Sequence, residues 1–470
     1  MALSKTKQVK LNKLFLTSSD GSKTADLKPF YTDIYVYEDI FSSAITADIY
    51  LSVSVPLENF IKIGGSETVD IEFQSAKYKN GKTGLVKTKL VVYKLSDRNK
   101  SDKPRKYRYK LNCTSPEFVH SEKIRISKFY DKKHHEIIQD LYGAWVKDFK
   151  KKKKLVPKSK SFLEKESILI PNWSPTHAIN YVLNKCAVKD NKPKADFMFY
   201  ETLKSNGGSE FHLQSFEDMT KTAPVKEYIH VFEKAIDTEI LERIEAANQQ
   251  NVYNFKVKSA SDYLTELNYG SIAGKTIVFD MTKKRWDVYN YNYFDELSNS
   301  KNPTLPEPTD KEKEAPYDSF VSVMPKRRGL FTNKEQGASV DEKKENSSHV
   351  EETAWRRNLF MSRVSNTKCI IETSGDSNLR VATTVKWDIP STEPEINEQL
   401  KLNQLADRWV VTSATHHINK EIGYTQTVEL VKDSVYKPYD KSSFFSAIAA
   451  VVDSITEIIR AAIKKISFFS

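Results

Sequence analysis

Two glutamates, Glu201 and Glu210, flank a predicted hairpin turn at Asn206, Gly207 and Gly208. Paired carboxylates in such a place could act as acid and nucleophile on a glycosidic bond. With 62 Asp and Glu in the chain, chance pairs are many, and this one does not rise above them. Gly270-Ser-Ile-Ala-Gly274-Lys275-Thr276, running on to Asp280, resembles a phosphate loop with its acidic strand. It is one residue short of G-x-x-x-x-G-K-[ST]. The residues after Lys275 read as strand, so no helix N-terminus would face a phosphate. A turn between strands is expected, not a nucleotide site. His134-His135-Glu136 lacks the H-E-x-x-H spacing of a zinc protease. His416 and His417 lie in a predicted strand, where neighbours face opposite sides and cannot chelate one metal. There is no G-x-S-x-G nucleophile turn. Cys113, Cys186 and Cys369 are far apart and lack C-x-x-C spacing, which speaks against a disulfide framework or a cysteine zinc site. No catalytic residue, cofactor, metal or small-molecule substrate is expected.

Charge offers a second chemistry. Lys and Arg number 73, giving a net charge of +11. Such an excess invites a nucleic-acid or membrane partner. Lys150–Lys154 is the densest run, and it could bind phosphates. It has no interleaved aromatics for base stacking, so a solvated loop is expected. The N-terminus shows no apolar signal segment, and no stretch of about 18 apolar residues predicts a membrane span.

The elements that would position these residues read as β, then α+β, then β. In 1–115, Ile45, Ala47, Ile49, Leu51, Val53 and Val55 alternate with polar residues up to Pro56. Val69, Ile71 and Phe73 follow a Gly64-Gly65-Ser66 turn, and Tyr107, Tyr109, Leu111 and Cys113 alternate again. Short strands separated by turns predict a small barrel or sandwich. Segment 116–250 mixes helix and strand. Ile137, Ile138, Leu141, Tyr142 and Trp145 sit at helical spacing. Ser174-Pro175 predicts a helix start, with Ala178, Ile179, Val182, Leu183, Cys186 and Ala187 on one face. A further helix is expected over 239–249. Segment 251–437 returns to strands, interrupted by a long loop at 297–352 that is poor in apolar residues. Trp409–Ile418 and Tyr424–Val431 predict a hairpin around Gly423. Segment 438–470 predicts an amphipathic helix with Phe444, Ile448, Val451, Val452, Ile455, Ile459 and Ile463 on its apolar face. That face is a candidate interface for a partner or a second copy.

Several local phrases, in this order, resemble the baseplate hub proteins of contractile-tailed phages of the T4 type. Those hubs are relatives of the hub region of type VI secretion spike proteins. The phrases are Val36–Phe41 with the alternating strand to Val55, Gly65–Phe73, Ser115–Phe118 with its helix, and Ile170–Ile179. They continue with Asp196–Thr202, Glu210–Leu213, Arg408–His417 and Tyr424–Asp433. The resemblance implies two β-barrel tube domains (1–115 and 251–437) with an inserted α+β region (116–250). It also implies a homotrimeric ring whose six barrels match the hexameric tail tube and whose threefold face matches a trimeric cell-puncturing spike. The implied partners are that spike, a tail tube or tube-initiator protein, baseplate wedge proteins, and the tape-measure protein and DNA passing through the lumen. The implied place is the virion baseplate, after synthesis in the host cytoplasm. Little chain follows Val435, so the spike is expected as a separate protein. The implied role is structural rather than enzymatic. The alternatives are a tail-tip cell-wall hydrolase and a basic nucleic-acid-binding protein.

Overall fold

A computed structural model describes residues 9–59, 63–75, 84–100, 107–158, 166–187, 195–228, 252–259, 273–280, 284–292, 321–326, 367–387 and 408–432, together with Ile61, Tyr78, Arg357, Phe360, Met361 and Val364. The first segment supplies β1 (Val9–Thr17), β2 (Thr24–Asp26), β3 (Tyr31–Asp39), β4 (Thr46–Val53), β5 (Thr68–Ser75), β6 (Leu85–Lys100) and β7 (Tyr107–Thr114). The middle segment supplies α1 (Pro116–Lys123), β8 (Ile126–Lys132), α2 (His134–Trp145), β9 (Leu155–Pro157), β10 (Glu166–Trp173), α3 (Pro175–Leu183), β11 (Phe197–Leu203), β12 (Ser209–Ser215), α4 (Phe216–Thr220) and β13 (Lys226–Tyr228). The last supplies β14 (Val252–Ser259), β15 (Ala273–Asp280), β16 (Arg285–Asn292), β17 (Val321–Lys326), β18 (Thr367–Ser374), β19 (Thr384–Trp387), β20 (Arg408–Asn419) and β21 (Gly423–Lys432).

Period-two patterning does what it predicts. Ala47, Ile49, Leu51 and Val53 of β4 are buried while the residues between them are not. The strand stops two residues short of the expected end, and Val55 is 46% exposed. The Gly64–Ser66 turn is closed by Glu67, whose carboxylate accepts the backbone N–H of Gly64, Gly65 and Ser66 at 2.8, 2.9 and 3.1 Å. Gly65 has φ +95°, which glycine adopts without Cβ strain. The helical stripes on α2 and α3 are buried as expected. Ser174 precedes α3 with Pro175 at its first position, but the Ser174 side chain makes no cap bond. Its carbonyl accepts the Ala178 N–H at 2.9 Å instead.

The chain is mainly β with few helices. Two separate barrels were expected from the resemblance; pairing among the described residues instead traces one 13-stranded sheet. Its order is β14-β18-β21-β20-β3-β4-β7-β6-β5-β1-β2, with β13 and β19 attached to one side through β20. The path is open, with β14 and β2 at its ends. The first and last segments join where β3 pairs antiparallel with β20, from Asp39↔Ser413 to Asp33↔Asn419. The physical reason is edge satisfaction: each sheet lends the other a strand edge that would otherwise be open. The long-loop reading of 297–352 is corrected at Val321–Lys326, which pairs parallel with β15 in a three-stranded sheet with β16. The 239–249 helix and the rest of that loop lie outside the described residues.

Three large apolar cores form among the described residues. One contains Leu14, Val36, Ile49, Phe73 and Leu111 under the first-segment strands. A second contains Ile371, Trp387, Trp409 and Val428 under the last-segment strands. The third lies in the middle segment, around Ile137, Trp145, Ile168, Ile179 and Phe211. Strand β11 is buried along its whole length. Phe197 and Phe199 enter the third core, Met198 and Tyr200 the second, and Leu203 the first. Alternation along this two-sided strand sets the third core against the second, and Leu203, at the strand's end on the Phe197 side, reaches the first.

Candidate functional site

The densest polar chemistry lies where β11 meets the rest of the chain. Glu38 on β3 is fully buried. Its carboxylate accepts Thr202 Oγ1–H at 2.7 Å and the Leu203 N–H at 2.9 Å. His416 Nε2 on β20 lies 3.1 Å from its other oxygen. The Leu203 carbonyl takes a bond from Arg380 Nε at 3.0 Å, so side chains of the first and last segments hold both backbone groups of one residue. Burial pushes the Glu38 carboxyl up. The His416 hydrogen bond and the Arg380 charge more than reverse that and hold it below the usual carboxylate range. His416 Nδ1 lies 2.7 Å from the hydroxyl of buried Tyr424. Gly375 makes room for that ring, since a Cβ there would lie 2.2 Å from it.

A second cluster sits on the other face of β11. Glu201 accepts from Lys153 Nζ and Ser209 Oγ, each at 2.6 Å, from the Ile45 N–H at 3.1 Å, and from Ser115 Oγ. Lys153 Nζ also donates to Glu117 at 2.6 Å. Burial pushes the Lys153 amine down, and the charges of Glu201 and Glu117 more than reverse it, so the ammonium stays charged. Burial pushes the Glu117 carboxyl up, with Lys153 pulling it back in part. The solvated-loop expectation for Lys150–Lys154 is thus corrected at one position. Lys150, Lys151, Lys152 and Lys154 are exposed, but the Lys153 side chain turns inward between two buried carboxylates.

A third cluster lies inside the middle segment. Buried Glu166 bonds His134 Nε2 and Lys185 Nζ, each at 2.8 Å. Burial pushes its carboxyl up, but His134 and Lys185 bring it from an ordinary 4.5 down to about 2. A depressed pKa means stability that is present above the ordinary value and lost as pH falls through the folded one. The stability gap between wild type and Glu166→Gln should therefore be about 3 kcal/mol at pH 6. It should shrink steadily from pH 4.5 towards pH 2. Urea unfolding followed by tryptophan fluorescence reads the gap, and a gap still constant at pH 2.5 would contradict the assignment.

The residues singled out for chemistry do not converge. Glu201 pairs in register with Phe211 and Glu210 with Thr202, so the two carboxylates face opposite sides of their hairpin. Glu210 bonds His212 and Lys204 instead. They cannot flank one glycosidic bond. Ala273, Gly274 and Lys275 already belong to strand β15 together with Thr276, so the strand starts earlier than the turn-between-strands reading places it, and Gly270 lies outside the described residues. His416 faces the core, and His417 bonds Asp33 at 2.9 Å on the other side. The candidate interface Phe444, Ile448, Val451, Val452, Ile455, Ile459 and Ile463 lies outside the described residues. An open cavity of about 730 Å³ is lined by Leu27, Phe30, Val53, Val55, Leu57 and Ile61, with Lys23 and Asp26 among its polar lining. Its surface is chiefly apolar, with the hydroxyls of Ser22, Thr24 and Ser54 also in the lining.

The fold of the chain is similar to that of solved structures. The tail protein from Neisseria meningitidis MC58 aligns with 92% of this chain and 98% of its own length, at 9% identity and TM-score 0.50. The fold is that of a tail protein. The 43 kDa tail protein of prophage MuSo2 from Shewanella oneidensis aligns with 90% of this chain and 98% of its own, at 9% identity and TM-score 0.47. A type VI secretion component of E. coli, described as similar to the T4 bacteriophage tail proteins gp27 and gp5, aligns with 92% of this chain and 79% of its own, at 8% identity and TM-score 0.41. No protein-family model matches the sequence, and no curated protein does. Within this tail-protein fold the buried clusters act as fasteners. Sequence reasoning passed over Glu38, Glu117, Lys153 and Arg380, whose roles depend on partners far along the chain.

Proposed function

We propose that this chain is a non-enzymatic structural subunit of a contractile-tail baseplate hub. Three copies form a ring that adapts a hexameric tail tube to a separate trimeric spike. The observation that carries this reading is the tail-protein fold over 92% of the chain, built as two apolar cores under one sheet. Two lobes per chain in a threefold ring present six similar faces on one side. The open apolar cavity beside Phe30 suits subunit packing better than catalysis. Wedge proteins lie outside the ring in this scheme, and tape measure and DNA pass through it.

Mass measurement in solution tests the reading, with class-averaged microscopy of the same sample. A species near 162 kDa, three times 54.0 kDa, with a threefold ring is expected. A compact monomer at micromolar concentration would overturn it. We assign the apolar stripe of 441–470 to the same threefold contact; a chain truncated after residue 440 that keeps the trimer mass would remove that role.

A further inference from the structure

Strands β8 and β10 form a two-stranded ribbon that carries no third strand among the described residues. Its inner face is ordinary core, with Tyr130 and Ile168 buried. Its outer face carries Phe129 and Leu169 directly opposite each other, 59% and 53% exposed. A cross-strand apolar pair left in water is unusual on a ribbon whose other face is buried. The two edges differ. β10 is broken near its end by Pro171 and by Asn172 at φ +54°. β8, Ile-Ser-Lys-Phe-Tyr-Asp-Lys, has neither proline nor glycine. Residues 123–133 are rich in base: Lys123 ends α1, Arg125 precedes β8, Lys128 and Lys132 lie on the β8 face opposite Phe129, and Lys133 precedes α2, while Asp131 shares the Phe129 face and Glu122 and Glu136 flank the run. Lys132 is tied to Asp140, and Asp131 accepts from Ser167. Lys128 sits over the Tyr130 ring, and Arg125 donates only to backbone carbonyls among the bonds it makes.

We propose that the β8 edge is a docking surface for an acidic, extended segment of another protein, which adds as a third strand and lays an apolar side chain over Phe129 and Leu169. The β8 edge, which pairs with no further strand among the described residues, supplies backbone hydrogen bonds, the apolar pair supplies an anchor, and the basic residues select the partner's charge. The surface is independent of the ring reading, since it belongs to the middle segment alone.

Fluorescence anisotropy with the full chain tests it, using four labelled probes at low and at physiological salt. These are nine-residue peptides alternating Glu with Leu, Lys with Leu, and Glu with Ser, and a nine-nucleotide oligothymidine. The Glu–Leu peptide should bind at least about tenfold tighter than the other three, and salt should weaken it. Phe129→Ser should cost about tenfold, and the pair Lys123→Glu with Lys128→Glu should shift preference to the Lys–Leu peptide. These side chains are exposed, so folding should be retained, and circular dichroism checks it. Equal binding of Glu–Leu and Glu–Ser, equal or tighter binding of oligothymidine, or folded variants that bind as wild type does would each overturn the proposal.

Discussion

Lys153→Ala is expected to destabilise the chain by about 3–5 kcal/mol, whereas Lys151→Ala and Lys152→Ala should stay within about 0.5 kcal/mol. The contrast within one run of five lysines is the test. Removing the Lys153 ammonium leaves Glu117 and Glu201 facing each other, both buried, without the cation that bridges them. Two like charges in a poorly solvated site must either repel or take up a proton. The double change Lys153→Met with Glu201→Gln should recover part of the loss, because it removes one of the two stranded charges and with it the repulsion between them, while Glu117 still lacks its cation. Chemical denaturation of the three single variants and the double variant checks this. Equal stability of Lys153→Ala and Lys152→Ala would refute the inward placement.

Glu38→Ala should cost a similar amount, about 3–5 kcal/mol, and should change the shape of unfolding as well as its midpoint. It strands the Thr202 hydroxyl, the Leu203 N–H and His416, which come from two other segments of the chain. Those bonds tie the middle segment to the joined sheet, so cooperativity between them should weaken. Calorimetry is expected to show one transition in wild type and a broadened or split one in Glu38→Ala. A double-mutant cycle with His416→Ala should show a coupling of about 1–3 kcal/mol. Additive effects would mean that the two side chains do not act as a unit.

Local geometry was legible in the sequence, and distant partnership was not. The β4 alternation, the α2 and α3 stripes and the hairpin around Gly423 follow from periods of 2 and 3.6, which neighbours alone reveal. The opposite facing of His416 and His417 follows from the same rule. Lys153 is different. In sequence it matches the lysines on either side, and its burial is set by Glu117 and Glu201, 36 and 48 positions away. The continuity of the large sheet was hidden for the same reason, because β3 shows no sign of which strand completes its edge. Glu201 and Glu210 looked like a pair because they flank one turn; the register that separates them is fixed by strand parity. The run Phe197–Tyr200 reads as one arm of the hairpin around Asn206–Gly208, and nothing local to it says that its two sides serve different cores.

The joint between β3 and β20 also sets a clock. Glu38 and His416 are 378 residues apart. At a synthesis rate of about 5–20 residues per second, β3 leaves the ribosome roughly 20–75 seconds before the strand that completes it. During that interval the first-segment sheet carries an open β3 edge, which is the kind of edge that recruits the wrong neighbour. Where many copies are made at once, the same edge on another nascent chain is such a neighbour. The yield of correctly folded subunit should therefore depend on how fast the chain between β3 and β20 is made, and slowing translation anywhere in that stretch should lower it more than slowing it before β3.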